Sequence, residues 1–166
     1  MEYFFNFEKL NYVSGKKPEG CILCLLRDGS EEVVNLTVYS DDTVMVSVNL
    51  YPYNPGHIMV FPRRHVEDLR ECSLEEESRI WSVTRHALDL LDSTHNPAGY
   101  NVGYNMHPVA GASVRHLHLH IIPRYPNELG VADLLAGKRV LVESPTKTQE
   151  RLREAFEERP PAIDGG

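Results

Sequence analysis

The sequence predicts an α+β domain on a mainly antiparallel sheet, with one long helix and a C-terminal helix. Three features carry that prediction. The stretch Val33 to Leu50 alternates apolar and polar residues in two runs around Ser40-Asp41-Asp42, the pattern of a hairpin. Ser73 and Glu76 form a capping-box pair ahead of Ile80, Thr84, Ala87, Leu88 and Leu91 at helical spacing. Strand-like and helix-like segments then mix without the regular alternation that a parallel sheet requires.

The remaining elements follow from local punctuation. Residues His57 to Phe61 read as a strand entered through Pro55-Gly56 and closed by Pro62, where the chain loses an amide donor. The long helix stops at Asn96-Pro97-Ala98-Gly99. Tyr100 to Asn105 is a further strand, and a glycine loop through Gly111 leads into a run from Val114 to Ile122 that Pro123 closes. Val131 to Ala136 reads as a short helix stopped at Gly137, and Lys147 to Glu158 as an amphipathic helix with Leu152, Ala155 and Phe156 on its apolar side. The segment 159–166 carries two prolines and two terminal glycines and is expected to be a flexible tail.

Composition bounds the function. The 166 residues suit one domain, expected over 1–158, that buries roughly two thirds of its unfolded surface. With 17 basic and 24 acidic side chains the net charge is −7, which argues against a nucleic-acid polymer or an acidic membrane as partner. The charge is uneven: residues 57–124 hold 7 basic and 8 acidic groups, so 7 − 8 leaves −1. There Arg63, Arg64, Arg115 and Arg124 flank a group of histidines, and they either bind a small anion or decorate strand ends. Met1 to Leu10 holds two acids and an asparagine without a basic leader, and no apolar run nears the roughly 20 residues of a membrane helix. Three cysteines, an odd number, fit a reducing compartment, so a cytoplasmic location is expected.

Five of the eight histidines are His57, His65, His116, His118 and His120. In His116-Leu117-His118-Leu119-His120, strand alternation sends three imidazoles to one face and two leucines to the other. The Leu and Ile neighbours mark a partly buried sheet, where such rings need partners. Chemistry alone leaves two uses open: a metal site that shares two or three rings, or a nucleophilic site in which a central imidazole attacks an electrophile. Cys21-Ile22-Leu23-Cys24 has the spacing of a zinc knuckle and also of a redox pair. With His65 and one strand histidine it could complete a Cys₂His₂ tetrahedron.

Two strings resemble a known family. His116-Leu117-His118-Leu119-His120-Ile121-Ile122 resembles the signature of the histidine triad (HIT) proteins, and Pro55-Gly56-His57-Ile58-Met59-Val60-Phe61-Pro62 resembles their upstream strand. The likeness runs over roughly residues 18–126. With Lys17 to Cys24 ahead and Pro123-Arg124-Tyr125 behind, it is most similar to the microbial, zinc-containing diadenosine tetraphosphate hydrolase or phosphorylase branch.

The resemblance implies a HIT-like fold and cleavage of dinucleoside polyphosphates at the α-phosphorus. His118 would be the nucleophile that forms a covalent nucleotidyl-histidine, His120 would contact the phosphate or leaving-group oxygen, and His57 would support the nucleophile and its orientation. Gly111 and Ser113 would hold phosphate oxygens, Asn49 the ribose hydroxyls, and Asn105 would be a further ligand contact. Both asparagines are also turn-forming residue types. Cys21, Cys24, His65 and His116 would hold a structural zinc, and a divalent cation such as Mg could accompany the substrate. A homodimer joined sheet edge to sheet edge is also implied, with Tyr3 to Phe7 as an apolar patch that could take part. Ala112 departs from the pattern, since many members carry a glutamine there that touches the phosphate.

Beside the triad, His86 and His95 are expected at the surface, His107 lies in a loop that could approach a ligand, and Cys72 has no evident partner. Two alternatives stand next to the polyphosphate reading: hydrolysis of nucleoside phosphoramidates, and a non-catalytic nucleotide-binding regulatory module.

Overall fold

The computed structural model describes residues 18–126, 128 and 143–162. Among these, helix α1 (Ile22–Arg27) precedes strands β1 (Thr37–Ser40), β2 (Val44–Val48) and β3 (Ile58–Pro62). The long helix α2 (Leu74–His95), strands β4 (Gly99–Tyr104) and β5 (Leu119–Arg124), and helix α3 (Pro145–Glu158) follow. The five strands form one antiparallel sheet in the order β1-β2-β3-β5-β4. The α+β class and the long helix are as the sequence predicts. The expected helix at 131–136, the patch Tyr3 to Phe7 and residues 163–166 lie outside the described residues. No described helix is long and apolar enough to cross a membrane.

Each element has a local cause. Asp41 Oδ1 accepts the amides of Thr43 and Val44 at 2.9 and 2.8 Å, which folds the hairpin where the sequence places it. The capping box of α2 is complete: Ser73 Oγ accepts the Glu76 amide and Glu76 Oε2 accepts the Ser73 amide. At its other end Asn96 takes a left-handed conformation, φ 47°, as a helix-ending residue should.

Helices α2 and α3 cover one face of the sheet. Ile80, Val83, Ala87 and Leu91 of α2 and Leu152 and Phe156 of α3 pack on Val44, Val46, Ile58, Val60, Leu119 and Ile121. These strand residues sit at every second position, so the intervening Met45, Met59 and Phe61 face the other side, where Leu23 and Leu26 of α1 cover them. His120 shares that second face. The sheet therefore delivers its imidazoles to the side that, among the described residues, only α1 and loops shield.

Two details differ from the sequence reading. The last strand starts at Leu119 instead of Val114, because the chain ahead of it leaves the sheet: Leu117 donates its amide to Val66 O at 2.7 Å. Pro123 lies inside the strand and does not close it. Strand β3 begins opposite Ile121, so the amide that Pro123 lacks has no ladder partner on that side, and the Pro123 carbonyl accepts from Asn54 Nδ2 at 2.7 Å. The first residues of the expected tail also pack: Ala162 O accepts from Arg79, and Arg159 O lies 2.6 Å from His86 Nε2.

Gly56 sets the turn ahead of His57. Its φ is +80°, and a Cβ there would meet Leu91, Pro123 and His95 side-chain carbons at 3.1 to 3.2 Å. Gly56→Ala should therefore lower stability by about 1–3 kcal/mol. A denaturant titration with an unchanged m-value but the wild-type midpoint would contradict this.

Candidate active site and metal cluster

Four side chains converge from three parts of the chain. Cys21 caps the N-terminus of α1 and Cys24 lies one turn on, so both thiols occupy one side of the helix start. His65 follows β3, and His116 precedes β5. Their ligand atoms all lie within 4.8 Å of one another. His116 Nδ1 is 3.4 Å from Cys21 Sγ and 3.6 Å from Cys24 Sγ, and His65 Nδ1 is 3.4 Å from Cys24 Sγ. A tetrahedral zinc with ordinary bond lengths would set N and S ligands about 3.6 Å apart, so the cluster fits that ion.

The protonation states agree. His116 Nε2 donates to Pro62 O at 2.8 Å, which leaves Nδ1 as the lone pair facing the thiols. Burial, aided by neighbouring cations and imidazoles, pulls His116 down to about 4, and a neutral ring is the ligand form. Burial and the adjacent Cys21 push the Cys24 thiol up to about 11, so loading a cation there would displace its proton.

In the second group of histidines, His118 and His120 line a cavity of about 650 Å³. His118 is 4% exposed, and its Nδ1 lies 2.6 Å from the carbonyl of His116, to which it donates. The remaining nitrogen, Nε2, keeps its lone pair. Burial lowers the His118 pKa, which favours that neutral, nucleophilic form.

His57 and His120 form a directed pair. The Tyr53 amide donates to His57 Nδ1 at 3.1 Å, so the proton of a neutral His57 must sit on Nε2. That nitrogen lies 3.0 Å from His120 Nδ1 and donates to it, which leaves the His120 proton on Nε2. Asn49 Nδ2, 3.4 Å from His57 Nε2, cannot donate to the same protonated nitrogen; the fixed backbone donor at Tyr53 decides the tautomer. Burial, reinforced by the nearby imidazoles, holds His57 down to about 3 and His120 to about 4, so the chain stays neutral near pH 7. His57 thus meets His120, and the group that orients His118 is a backbone carbonyl.

The rest of the expected site divides. Asn49 and Ser113 line the cavity with His118 and His120, and apolar side chains such as Leu26, Leu36 and Met59 complete its lining. Asn105, Ala112 and His107 border an adjoining small cleft that shares Glu67, Val114 and Arg115 with the cavity, and Gly111 turns beside Asn105 with φ +94°. His107 Nε2 lies 3.3 Å from Asp68. Of the four flanking arginines, Arg63 reaches Ser40, Arg64 pairs with Glu76 and Arg124 with Glu128; Arg115 alone lines the cavity.

His95 corrects an expectation. Its side chain is buried at the end of α2, with Nε2 2.9 Å from Glu143 and the ring beside Gly56. Three contributors had no sequence reading: the Tyr53 amide, the Pro62 carbonyl and Glu67. The first two are backbone groups and carry no side-chain signal. Glu67 had one, since a carboxylate two residues beyond a candidate metal-binding histidine is a natural outer partner; its Oε1 is 3.8 Å from His65 Nε2.

An antiparallel sheet that brings imidazoles to a cavity wall beside a Cys₂His₂ cluster defines an α+β protein with a histidine-based site. The chain belongs to the HIT domain family, whose model matches residues 30–127. It is 32% identical over 126 residues to an "AP-4-A phosphorylase" of Mycobacterium tuberculosis, across 75% of this chain and 65% of that protein, so the chain spans less than two thirds of that relative. It is 29% identical over 113 residues to a "Bis(5'-adenosyl)-triphosphatase" of Dictyostelium discoideum, across 68% of this chain and 76% of that one. Among solved structures, a Zn-bound histidine triad family protein from Mycobacterium smegmatis superposes with a TM-score of 0.66 at 23% identity, covering 83% of this chain and 94% of the other.

Proposed function

We propose that the protein cleaves dinucleoside polyphosphates, of the diadenosine tetraphosphate kind, at the α-phosphorus through a covalent intermediate on His118. The observation that carries this is the 2.6 Å bond from His118 Nδ1 to the His116 carbonyl, which aims a free Nε2 lone pair from the cavity wall. In the first step Nε2 bonds to the α-phosphorus while the bond to the leaving oxygen breaks. His120, with its proton on Nε2, donates to that oxygen, and His57 fixes the His120 tautomer. Ser113 and Asn49 line the cavity and would take phosphate and ribose, while its apolar side chains suit a base. Asn105 and Gly111 serve the substrate only through the loop that carries Ser113. The related proteins described as a phosphorylase and a triphosphatase support this substrate class.

Cys21, Cys24, His65 and His116 would hold a structural zinc: four protein ligands complete its tetrahedron, so it would tie α1 to the approach of β5 and supply no reacting group. A divalent cation such as Mg is proposed to travel with the polyphosphate. A single unit over 1–158 and a homodimer complete the reading. Among the described residues β4 lies at the sheet edge with β5 as its one strand neighbour, and Val102 is 39% exposed, which supports the homodimer. Three free cysteines support a cytoplasmic setting.

Product analysis tests the reaction and selects the acceptor. Diadenosine tetraphosphate should yield adenosine monophosphate with water as acceptor, or a diphosphate that appears only when inorganic phosphate is present. Absence of both products from well-folded, zinc-loaded protein would overturn the enzymatic reading.

A further inference from the structure

Arg115 lies on the cavity wall three residues from His118, and neither the metal cluster nor the histidine pair uses it. Among the described residues it is the single lysine or arginine that lines the cavity. Its guanidinium holds Glu67 Oε2 at 2.9 and 3.0 Å, yet three quarters of the side chain remains exposed, against one third for Glu67. Both residues line the cavity together with Ser113, His118 and His120.

An exposed ion pair of this kind is weak, because water solvates both partners. A polyphosphate that extends beyond the α-phosphate brings several negative charges to the same wall, and a guanidinium recognises phosphate oxygens in pairs. The same charges would meet repulsion from Glu67. Ala112, in the preceding loop, has no polar side-chain group and borders the neighbouring cleft, so it offers no competing contact.

We propose that Arg115 sets the preference for polyphosphate length: it leaves Glu67 for the phosphates beyond the α-phosphate, while Glu67 holds it back from nucleotides of lower charge. This rests on the nucleotide reading above. It makes Arg115 a specificity residue, separate from the His118 chemistry.

Calorimetry with AMP, ADP, ATP and adenosine tetraphosphate tests it without relying on turnover. Affinity of the wild type should rise about tenfold or more from AMP to adenosine tetraphosphate. R115Q should flatten that rise to within about twofold and leave AMP unchanged, R115K should keep most of it, and E67Q should strengthen binding of the shorter nucleotides. Equal weakening of all four nucleotides in R115Q, or length-independent binding by the wild type, would overturn the proposal. A length preference that R115Q abolishes, in a protein that cleaves no dinucleotide, upholds Arg115 and removes the catalytic reading. Intact cleavage with length-independent binding does the reverse.

Discussion

His118→Ala is expected to reduce cleavage of diadenosine tetraphosphate by about 10⁴-fold or more, the scale on which loss of a covalent nucleophile is felt. No other imidazole can replace it. His120 has its Nδ1 engaged by His57 and its proton on Nε2, while His116 faces the thiols. The variant should fold, because the one hydrogen bond that the His118 ring makes among the described residues goes to a carbonyl two residues back in its own segment. Added imidazole should restore part of the rate by filling the space and accepting the nucleotidyl group. In the wild type, rapid quenching followed by mass measurement should find one nucleotidyl group on the peptide carrying His118. Burial lowers the His118 pKa below its ordinary 6.5, so the neutral nucleophile persists as pH falls and the acid limb of kcat/KM should lie below pH 6.5. More than one per cent of wild-type turnover in His118→Ala would defeat the covalent mechanism.

Loss of the metal cluster is the second large effect expected. Protein purified without chelator should hold about one zinc per chain, and Cys24→Ala or chelation should lower stability by about 3 kcal/mol or more. The size follows from what the ligands connect: α1 with its cover over Met45 and Phe61, the segment after β3, and the approach to β5. The same loss should slow cleavage. His116 is held through Nδ1 at the cluster and through Nε2 at Pro62, and its carbonyl is the group that orients His118. Freed from the cluster, that carbonyl no longer has a fixed position, and the proton on His118 can move to either nitrogen. Elemental analysis that finds no zinc, or Cys24→Ala with wild-type melting behaviour, would remove the metal proposal. His65→Ala should behave alike, whereas Cys72→Ala, a thiol outside the four-ligand cluster, should leave metal content unchanged.

Much of this protein was legible in its sequence because the signals were local. The capping box at Ser73, the turn at Asp41 and the period-two pattern of β2 and β3 each depend on residues within a few positions of one another. So does the row of histidines; the Cys-x-x-C spacing called for two more ligands, His65 and one strand histidine, the resemblance chose His116, and the fold brings these four side chains together. The readings that changed depended on distant groups. His95 was expected at the surface, yet Glu143 and the Gly56 turn enclose it. All four flanking arginines have polar or acidic partners, Ser40, Glu76, Glu67 and Glu128, that the sequence reading did not name.

Residue types and their spacing determined which chemistry was available: imidazoles, thiols, a helix start and alternating strands. Tertiary structure decided how each imidazole is used. A ring nitrogen becomes donor, acceptor, ligand or nucleophile according to the group that occupies the other nitrogen, and here those groups are the Tyr53 amide and the carbonyls of Pro62 and His116. Every residue except proline carries the same amide, and all carry the same carbonyl. Only the folded chain can place one of them against a particular ring.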